Sequence, residues 1–334
     1  MTGATGFVGG YLVETLVRHG YEIKALARPA SDTSWLNKLN VEIVEGDIRD
    51  AAAMKKSVTG CQHVYHLAAK TTKSRLSKKE YRAYNVEGTV NVAKAALDAG
   101  VDRLVYASSV GVYGTGRNSS IDENTAPNPD SYYRETKLAG EKEVLRLHRD
   151  GGLPVVVARL GTVIGPGSLS WLEICRKIGQ GSFRIIGAGD NYDHMVYVDD
   201  LVDGLRRCGE VKGIEGRTYI LAGPEPAKLR EVIEIIAEKL GADILRDRLP
   251  LAPFGIYQRI GSSVFRSFGV QLPRSHYYDL FLMGQIFRIT KAKEQLGYFP
   301  KVSLRDGFHR LLDWYCERGY LRPAEKARKP GAGT

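Results

Sequence analysis

Residues 1–10 read MTGATGFVGG, with Gly3, Gly6 and Gly9 spaced as in a loop that leads from a buried strand into a helix. A residue without a side chain lets the backbone approach a phosphate, and the N-terminus of the adjoining helix then faces the negative charge. The glycine loop therefore predicts a nucleotide-phosphate site. Its GxxGxxG spacing also occurs in ordinary turns, so the prediction depends on the downstream sequence.

Almost no sequence precedes this loop. Met1 stands where the last apolar residue of a leading strand is expected. In a microbial gene a GTG valine codon can also be read as a start codon, which gives methionine. We therefore expect the complete first strand to need about half a dozen further residues. The alternative is a genuine short start, with the loop anchored by its helix alone.

Downstream, strand patterns alternate with helical patterns. Helices are predicted from Phe7 to just before Gly20 and from 80 to Gly100, and a further helix over 132–148. The predicted strands are 21–28, 41–47, 63–69, 103–109 and 154–165. This alternation predicts an α/β fold with a parallel, doubly wound sheet.

The alternation changes after about residue 166. The pattern predicts a dinucleotide-binding domain over 1–166, to which 194–223 returns, and a smaller α/β substrate-binding domain mainly over 167–320. Residues 321–334 read as a disordered basic tail.

The amino-acid composition limits which ligands and which cellular location are expected. The chain carries 48 Lys and Arg against 38 Asp and Glu, a net charge of +10, but apart from the tail the basic residues are scattered. The charge therefore favours a phosphate-bearing cofactor or substrate over nucleic acid. The four cysteines form no CxxC pair and predict neither a disulfide framework nor a zinc site. With no signal peptide and no apolar run long enough to cross a bilayer, we expect a cytoplasmic location.

The end of the predicted strand 21–28 indicates the type of dinucleotide. An acidic residue at this point bonds the 2′-hydroxyl of NAD, whereas an arginine accommodates the 2′-phosphate of NADP. Here Ala27 stands where the acid would be and Arg28 comes next, so NADP is expected, with NAD left open. Asp47, which ends the predicted strand 41–47, is a candidate for the adenine contact or for a simple turn residue.

Three residues are candidates for catalysis. Tyr133 and Lys137 are four apart on one helix and share a face, and an ammonium beside a phenol lowers the pKa of the phenol. Tyr133 would then exchange a proton near neutral pH. Ser109 ends a predicted strand at the ligand-binding edge and could hold the substrate oxygen. Tyr132 is the outward-facing neighbour or a competing candidate.

Taken together, these features resemble the extended short-chain dehydrogenase/reductase family of NAD(P)-dependent epimerases and dehydratases, whose sheet is of the Rossmann type. The resemblance covers nearly the whole chain through these segments: TGATGFVGG, HLAAKT, NVEGT, SSVGVYG, YYRETK, RLGTVIGPG, VYVDDL and LGYFPKVSLRDGF. It implies hydride transfer between the nicotinamide and a carbinol or carbonyl carbon. Ser109, Tyr133 and Lys137 match the catalytic triad of the family.

The resemblance also implies where the dinucleotide lies. Phe7 and Val8 would line the pyrophosphate, and Leu67–Ala69 would line the dinucleotide backbone. Asn85 would lie beside the cofactor, and Lys137 would also bond the nicotinamide ribose. Asp47 and Ile48 would line the adenine. The expected cofactor-binding residues are Gly3, Thr5, Gly6, Phe7, Val8, Gly9, Arg28, Asp47, Ile48, Leu67, Ala68, Ala69, Asn85 and Lys137.

Two positions depart from the nucleotide-sugar epimerases that the chain resembles. Thr162 stands where those enzymes typically have an asparagine, and Asp193 where they have an arginine that grips the sugar diphosphate. A carboxylate would repel phosphate. Region 249–287 is instead rich in aromatic and apolar residues, which fits an apolar alcohol or ketone, or simply a packed core. The chain therefore looks more like the 3β-hydroxysteroid dehydrogenase and dihydroflavonol reductase branch.

Several alternatives stay open at this point. The chain could be a nucleotide-sugar epimerase or dehydratase, or a non-catalytic NAD(P)-binding sensor or scaffold, although such members commonly lose the tyrosine or the lysine. No metal site is expected, because His63 and His66 would face opposite sides of a strand. Homodimers are frequent in the family, and the net charge leaves a peripheral membrane contact open.

Overall fold

A computed structural model describes residues 1–71, 74, 76–115, 119–243, 248–249 and 284–321. Its main strands coincide with the apolar runs of the sequence. The strands are β1 Lys24–Ala27, β2 Glu42–Glu45, β3 His63–His66, β4 Arg103–Ser109, β5 Ser119–Ile121, β6 Val155–Leu160, β7 Thr162–Ile164, β8 Ile185–Ile186, β9 Tyr192–Asp193, β10 Met195–Tyr197, β11 Thr218–Leu221, β12 Ala227–Lys228, β13 Arg248–Leu249 and β14 Gln285–Phe287.

Helices connect these strands. They are α1 Phe7–Arg18, α2 Ser34–Asn37, α3 Ala51–Val58, α4 Lys78–Arg82, α5 Gly88–Asp98, α6 Tyr132–Gly151, α7 Leu172–Gly179, α8 Val198–Glu210, α9 Leu229–Leu240, α10 Thr290–Leu296 and α11 Leu304–Glu317. A π-helical turn, Ala83–Glu87, joins α4 to α5, so the helix predicted over 80–100 contains a π-turn. No described helix is both long enough and apolar enough to cross a membrane.

The central sheet is parallel throughout its named strands. Strand β1 pairs with β2, and the order β11-β6-β4-β3 forms the other half. Thr2 joins the two halves, because it forms parallel bridges with both Leu26 of β1 and His66 of β3. The α/β prediction of a doubly wound sheet is therefore confirmed. The two residues Met1 and Thr2 hold the position between β1 and β3, and the expectation of a longer first strand stays a prediction.

Apolar side chains cover both faces of the sheet. Because successive strand residues point to opposite faces, Val105 of β4 packs with α1 and α8, whereas Leu104 packs with α3, α5 and α6. The two cores are thus formed by alternate residues of the same strand. The pattern explains why β4 reads as a continuous apolar run: it is buried on both faces.

The C-terminal part of the chain is partly built onto this sheet. Strand β11 returns to pair with β6, and α8 packs against β4 and β6. Beyond the sheet, β7 pairs with β10 and α9 packs against α7 and α11. The domain boundaries near residues 166 and 320 stay a prediction. The aromatic segment expected over the substrate lies, up to residue 283, outside the described residues, as do residues 322–334 of the predicted tail.

Candidate active site

The glycine loop is built by close backbone contacts that side chains would block. Gly3 has a φ of +78°, and a Cβ there would lie 2.7 Å from the nitrogen of Ala68. A Cβ at Gly9 would lie 2.0 Å from the carbonyl oxygen of Gly3. Gly6 donates its N–H to that same oxygen at 3.0 Å. The loop therefore needs glycine at these positions to bring α1 against the carboxyl end of the sheet.

A cavity opens over this loop, and we call it the glycine-loop cleft. It is lined by Thr2, Gly3, Thr5, Leu26, Ala27, Arg28, Ser31, Gly46, Asp47, Ile48, Leu67, Ala68, Ala69, Lys70 and Tyr84. Eight of the residues expected to bind the cofactor are in this lining: Gly3, Thr5, Arg28, Asp47, Ile48, Leu67, Ala68 and Ala69. These residues fit a dinucleotide, because Gly3 lies in the lining and belongs to the loop that leads into the N-terminus of α1.

The remaining expected residues are not part of this lining: Gly6, Phe7, Val8, Gly9, Asn85 and Lys137. Gly6 precedes α1 directly, and Phe7 and Val8 form its first turn. The Phe7 ring packs edge-on against Tyr11, whose hydroxyl donates to the carbonyl of Pro166 at 3.0 Å. Phe7 therefore lies between α1 and the chain that comes after β7.

Charged groups gather at the far end of the cleft. Arg49 binds Asp47 through two nitrogens at 2.9 and 3.0 Å, and its guanidinium lies 4.1 Å from the centre of the Tyr84 ring. Lys70 approaches the same ring at 4.8 Å. Although partial burial opposes it, hydrogen bonding from Arg49 and the charge of Arg28 hold the pKa of Asp47 below its ordinary value. Asp47 is therefore a carboxylate at neutral pH.

Asn85 joins the cleft to α6. It lies in the π-turn and is 1% exposed. Its side chain accepts from the Lys70 N–H at 2.8 Å and donates to both the Lys70 carbonyl and the Thr136 hydroxyl at 3.0 Å. The structure thus places Asn85 behind the segment 67–70 that lines the cleft. A π-turn of this kind is frequent at functional sites.

The three candidate catalytic residues come together at the carboxyl edge of the sheet. Ser109 ends β4 beside Leu160, the last residue of β6, and its hydroxyl accepts from the N–H of Gly111 at 3.0 Å. Tyr133 lies in the first turn of α6, which Ser131 caps, and hydrogen-bonds with the Ser109 side chain. Tyr132, by contrast, is buried, with its ring 5.4 Å from the Lys78 ammonium.

The sequence predicts a lowered pKa for Tyr133, and this prediction is wrong. Burial raises the pKa of this phenol above its ordinary value, and hydrogen bonding to Ser109 and the charge of Arg134 oppose the rise only in part. The Lys137 ammonium instead donates to the carbonyl of Ala107 at 2.5 Å and lies 4.3 Å from the centre of the Tyr106 ring. Tyr133 is therefore a neutral phenol at physiological pH, because burial outweighs the nearby positive charge.

Lys137 is itself strongly perturbed. Its side chain is 3% exposed, and burial lowers the pKa of the ammonium to about 7, while the charge of Glu141 opposes the fall. Glu141 comes four residues after Lys137 on α6, so the two share a helix face. A buried lysine whose pKa lies near 7, as here beside the buried ring of Tyr106, is typical of a functional site.

Sequence reasoning missed a buried ion-pair cluster, whose Glu141 opposes the fall of the Lys137 pKa. Glu141 binds Arg159 of β6 through Nη2 at 2.7 Å and Nε at 3.1 Å, and accepts from the Ser108 hydroxyl. Arg159 also donates to the Tyr113 hydroxyl at 2.6 Å. We use the name buried ion-pair cluster for Ser108, Tyr113, Glu141 and Arg159. The only sequence signal was the position of Glu141, four residues after Lys137.

The two positions that depart from the nucleotide-sugar epimerases contact one another. Thr162 begins β7, just past the edge where Ser109 and Leu160 lie, and it hydrogen-bonds with the Asp193 side chain. Asp193 is 9% exposed, and burial raises its pKa to about 6. A carboxyl group therefore occupies the point where an arginine was expected for a sugar diphosphate. Within the described ranges, no group of three or more His, Cys, Asp and Glu side chains is arranged to hold a metal ion.

Comparison with known proteins gives the family. A family model described as the NAD dependent epimerase/dehydratase family matches residues 1–222. Among curated relatives, a 3beta-hydroxysteroid-dehydrogenase/decarboxylase isoform of Arabidopsis thaliana is 29% identical over 94% of this chain and 78% of its own length. Sterol demethylase protein B of Methylococcus capsulatus is also 29% identical, over 96% of this chain and 99% of its own.

Solved structures agree with the fold. A double mutant of a dTDP-glucose 4,6-dehydratase from Streptomyces venezuelae, crystallised with NAD bound, is 26% identical and superposes with a TM-score of 0.76. The match covers 97% of this chain and 98% of that one. The family resemblance noted from the motifs is thereby confirmed. The chain belongs to the NAD dependent epimerase/dehydratase family and is an enzyme of the extended short-chain dehydrogenase/reductase type that uses a nicotinamide cofactor.

Proposed function

We propose that this chain is an NADP-linked reductase or dehydrogenase that interconverts a ketone and a secondary alcohol on an apolar substrate. The observation that carries the proposal is the meeting of Tyr133, Ser109 and Lys137 at the carboxyl edge of β4. When bound, the nicotinamide supplies or accepts the hydride. The protein's own side chains bind and orient the reactants and move the proton.

Tyr133 is the proposed acid. Because burial raises its pKa, the phenol keeps its proton at neutral pH and can give it to a carbonyl oxygen held nearby. The Ser109 hydroxyl, which hydrogen-bonds with Tyr133, is the second group that this oxygen would contact. A protonated tyrosine is ready for the reducing direction. Oxidation of an alcohol would require the phenol to lose its proton first, so it is expected to speed up at higher pH.

Lys137 is proposed to hold the ribose of the cofactor and to stabilise negative charge on Tyr133 as the proton leaves. Its ammonium is oriented by the Ala107 carbonyl and by the face of the Tyr106 ring. Asn85 fixes the neighbouring turn of α6 through Thr136. These contacts hold the proposed catalytic face of the helix against the end of β4.

The choice of NADP is proposed from the charges of the glycine-loop cleft. Ala27 ends β1 without a carboxylate, and Arg28 and Lys70 both line the cleft. The carboxylate in the lining, Asp47, is already neutralised by Arg49. A 2′-phosphate would therefore meet net positive charge at this end. The homodimer and the cytoplasmic location expected from sequence stay predictions.

The apolar substrate class is proposed from two independent supports. The Thr162–Asp193 pair presents a carboxyl where a diphosphate would need a cation. The curated relatives, by their names, include enzymes of steroid and sterol chemistry. Neither support identifies a single molecule, so a panel of substrates is the appropriate test.

The test uses the full chain with NADPH and with NADH. Reduced-nicotinamide absorbance would be followed with a steroid ketone, a flavanone-type ketone and a nucleotide sugar, each beside Tyr133→Phe. We expect NADPH-dependent reduction of an apolar ketone that Tyr133→Phe loses. Turnover of the nucleotide sugar alone would contradict the proposal and favour an epimerase or dehydratase. Tight dinucleotide binding with no turnover on any substrate would favour a sensor or scaffold.

A further inference from the structure

His66 lies between the proposed cofactor loop and the proposed catalytic helix. It ends β3 and is 1% exposed. Its ring packs 5.6 Å from that of Tyr106, which in turn contacts the Lys137 ammonium. The proposed mechanism gives this buried imidazole no task.

The hydrogen bonds on the two sides of the His66 ring determine which nitrogen donates and which accepts. The Thr89 hydroxyl donates to the Asn85 carbonyl at 2.8 Å, so its oxygen accepts from His66 Nε2 at 3.0 Å. His66 Nδ1 is then the acceptor, and the Thr2 hydroxyl donates to it at 2.7 Å. The Thr2 oxygen in turn accepts from the Ala68 N–H at 3.3 Å. This assignment leaves a neutral ring with its proton on Nε2.

The same chain of contacts continues to Tyr133. Asn85 donates from its amide to the Thr136 hydroxyl at 3.0 Å, and that hydroxyl donates to the Tyr133 carbonyl at 2.9 Å. Two sets of hydrogen bonds, joined through the backbone and side chain of Asn85, therefore link Ala68, in the lining of the glycine-loop cleft, to the backbone carbonyl of the residue proposed as the acid. We call the two sets together the His66 chain.

The environment keeps the ring uncharged. Burial, with a further contribution from the Lys137 ammonium, lowers the pKa of His66 to about 3. A second cation would lie next to a buried ammonium, and both ring nitrogens would then need acceptors. If Nδ1 also carried a proton, the Thr2 hydroxyl would have to turn its own proton away from the ring and accept from Nδ1 instead. The imidazole therefore serves as a fixed donor and acceptor pair rather than as an acid or base.

We propose that His66 is a positioning residue that sets the proposed catalytic helix relative to the cofactor loop, through the Thr2 contact on one side and the Thr89 contact on the other. The inference rests on the proposed function only in taking the first turn of α6 as catalytic. A residue that only stabilised the fold could make the same two contacts. Loss of the Thr89 contact would then not act on α6 alone, and loss of the Thr2 contact would not act on the cofactor loop alone.

Two substitutions of His66 each break the contact on one side of the ring and can keep the contact on the other side. His66→Asn can keep an acceptor near the Nδ1 position for Thr2 but does not reach Thr89. His66→Gln can reach Thr89 as a donor but loses the acceptor for Thr2. The matched control is His63→Asn on the same strand, because His63 is only partly buried and packs near Tyr21.

The first readout needs no turnover and no cofactor. Hydrogen exchange would be measured on the free protein for the peptide covering 132–138 and for the sheet. We expect His66→Asn to speed exchange at 132–138 about fivefold or more, and His66→Gln and His63→Asn to leave that peptide near wild type. Equal acceleration in all segments by both His66 variants, or in none, would overturn the proposal.

The second readout is NADPH binding followed by intrinsic fluorescence. His66→Gln, which frees Thr2 and Ala68, is expected to weaken binding about fivefold or more, whereas His66→Asn keeps it within about twofold. The reverse order would overturn the proposal. If the wild-type chain reduces none of the substrates tested, the proposed function fails, while the exchange and binding patterns still decide the role of His66.

Discussion

The two ends of the site hold their charges in opposite ways. At the adenosine end proposed for the glycine-loop cleft, Arg49 and Asp47 form an ion pair whose side chains are 47% and 24% exposed. At the proposed reacting end, Glu141 and Arg159 form an ion pair whose side chains are 2% and 8% exposed. The ion pair at the adenosine end is therefore open to solvent, whereas the ion pair at the proposed reacting end is enclosed by protein.

This difference predicts where substitutions will be costly. Exposed ion pairs contribute about 1 kcal/mol or less, because water screens them and competes for them. A buried pair that loses one partner leaves a charge that water cannot reach, at a cost of several kcal/mol. We therefore expect large effects at the reacting end and small, tunable effects at the adenosine end.

The largest expected effect is on Tyr133. Tyr133→Phe removes the phenolic proton and leaves the ring, so kcat should fall roughly 10²- to 10⁴-fold while the affinity for NADPH stays near wild type. The matched control is Tyr132→Phe, because the Tyr132 ring is buried beside Lys78 and is not the proposed acid. An equal fall in both variants would mean that the first turn of α6 is needed only for packing.

The next effect tests the buried ion-pair cluster. Glu141→Gln leaves the Arg159 guanidinium buried without its anion, and we expect the free energy of unfolding in urea to fall by about 3 kcal/mol. Glu143→Gln is the control on the same helix, because Glu143 pairs with Arg146 at an exposed position and should change by less than about 1 kcal/mol. Similar losses for the two variants would remove the contrast between the ends.

A third effect comes from the lowered pKa of Lys137. Between the folded value of about 7 and the ordinary value of 10.5, the unfolded chain binds the proton more tightly, so stability rises with pH. From pH 7.5 to 9, the wild type should gain about 2 kcal/mol relative to Lys137→Met. The exposed Lys142→Met is the control and should behave as the wild type does. Parallel curves for wild type and Lys137→Met would show that the ammonium is not perturbed.

Most of the fold could be predicted from the sequence because the sheet is buried on both faces. The strand predicted over 103–109 matches β4, since a run of apolar residues bounded by polar turns has few alternatives. The strand predicted over 154–165 is instead divided at Gly161. Its N–H bonds the carbonyl of Leu221, and the chain beyond it pairs with β10. Such long-range pairing has no local signal.

The sequence identified the residues of the candidate site but not how the fold shifts their pKa values. Motifs located Ser109, Tyr133 and Lys137, and the structure brings them to one edge of the sheet. The direction of the Tyr133 pKa was wrong, because burial is a property of the folded surroundings and not of the spacing between two residues. Glu141 was missed for a related reason. A glutamate on a charged helix reads as solvent-exposed until its distant partner Arg159 is known.

The smallest expected effect lies at the adenosine end and decides the cofactor. Arg28 is exposed and lines the glycine-loop cleft, whereas Arg49 is exposed but engaged by Asp47. If Arg28 meets a 2′-phosphate, Arg28→Ser should weaken NADPH binding about tenfold, or about 1.4 kcal/mol, and leave NADH nearly unchanged. Arg49→Ser should shift both cofactors by similar, smaller amounts. A loss for Arg28→Ser that is equal for NADPH and NADH would place the arginine against the part that the two share, and the choice of NADP would then have to come from Lys70.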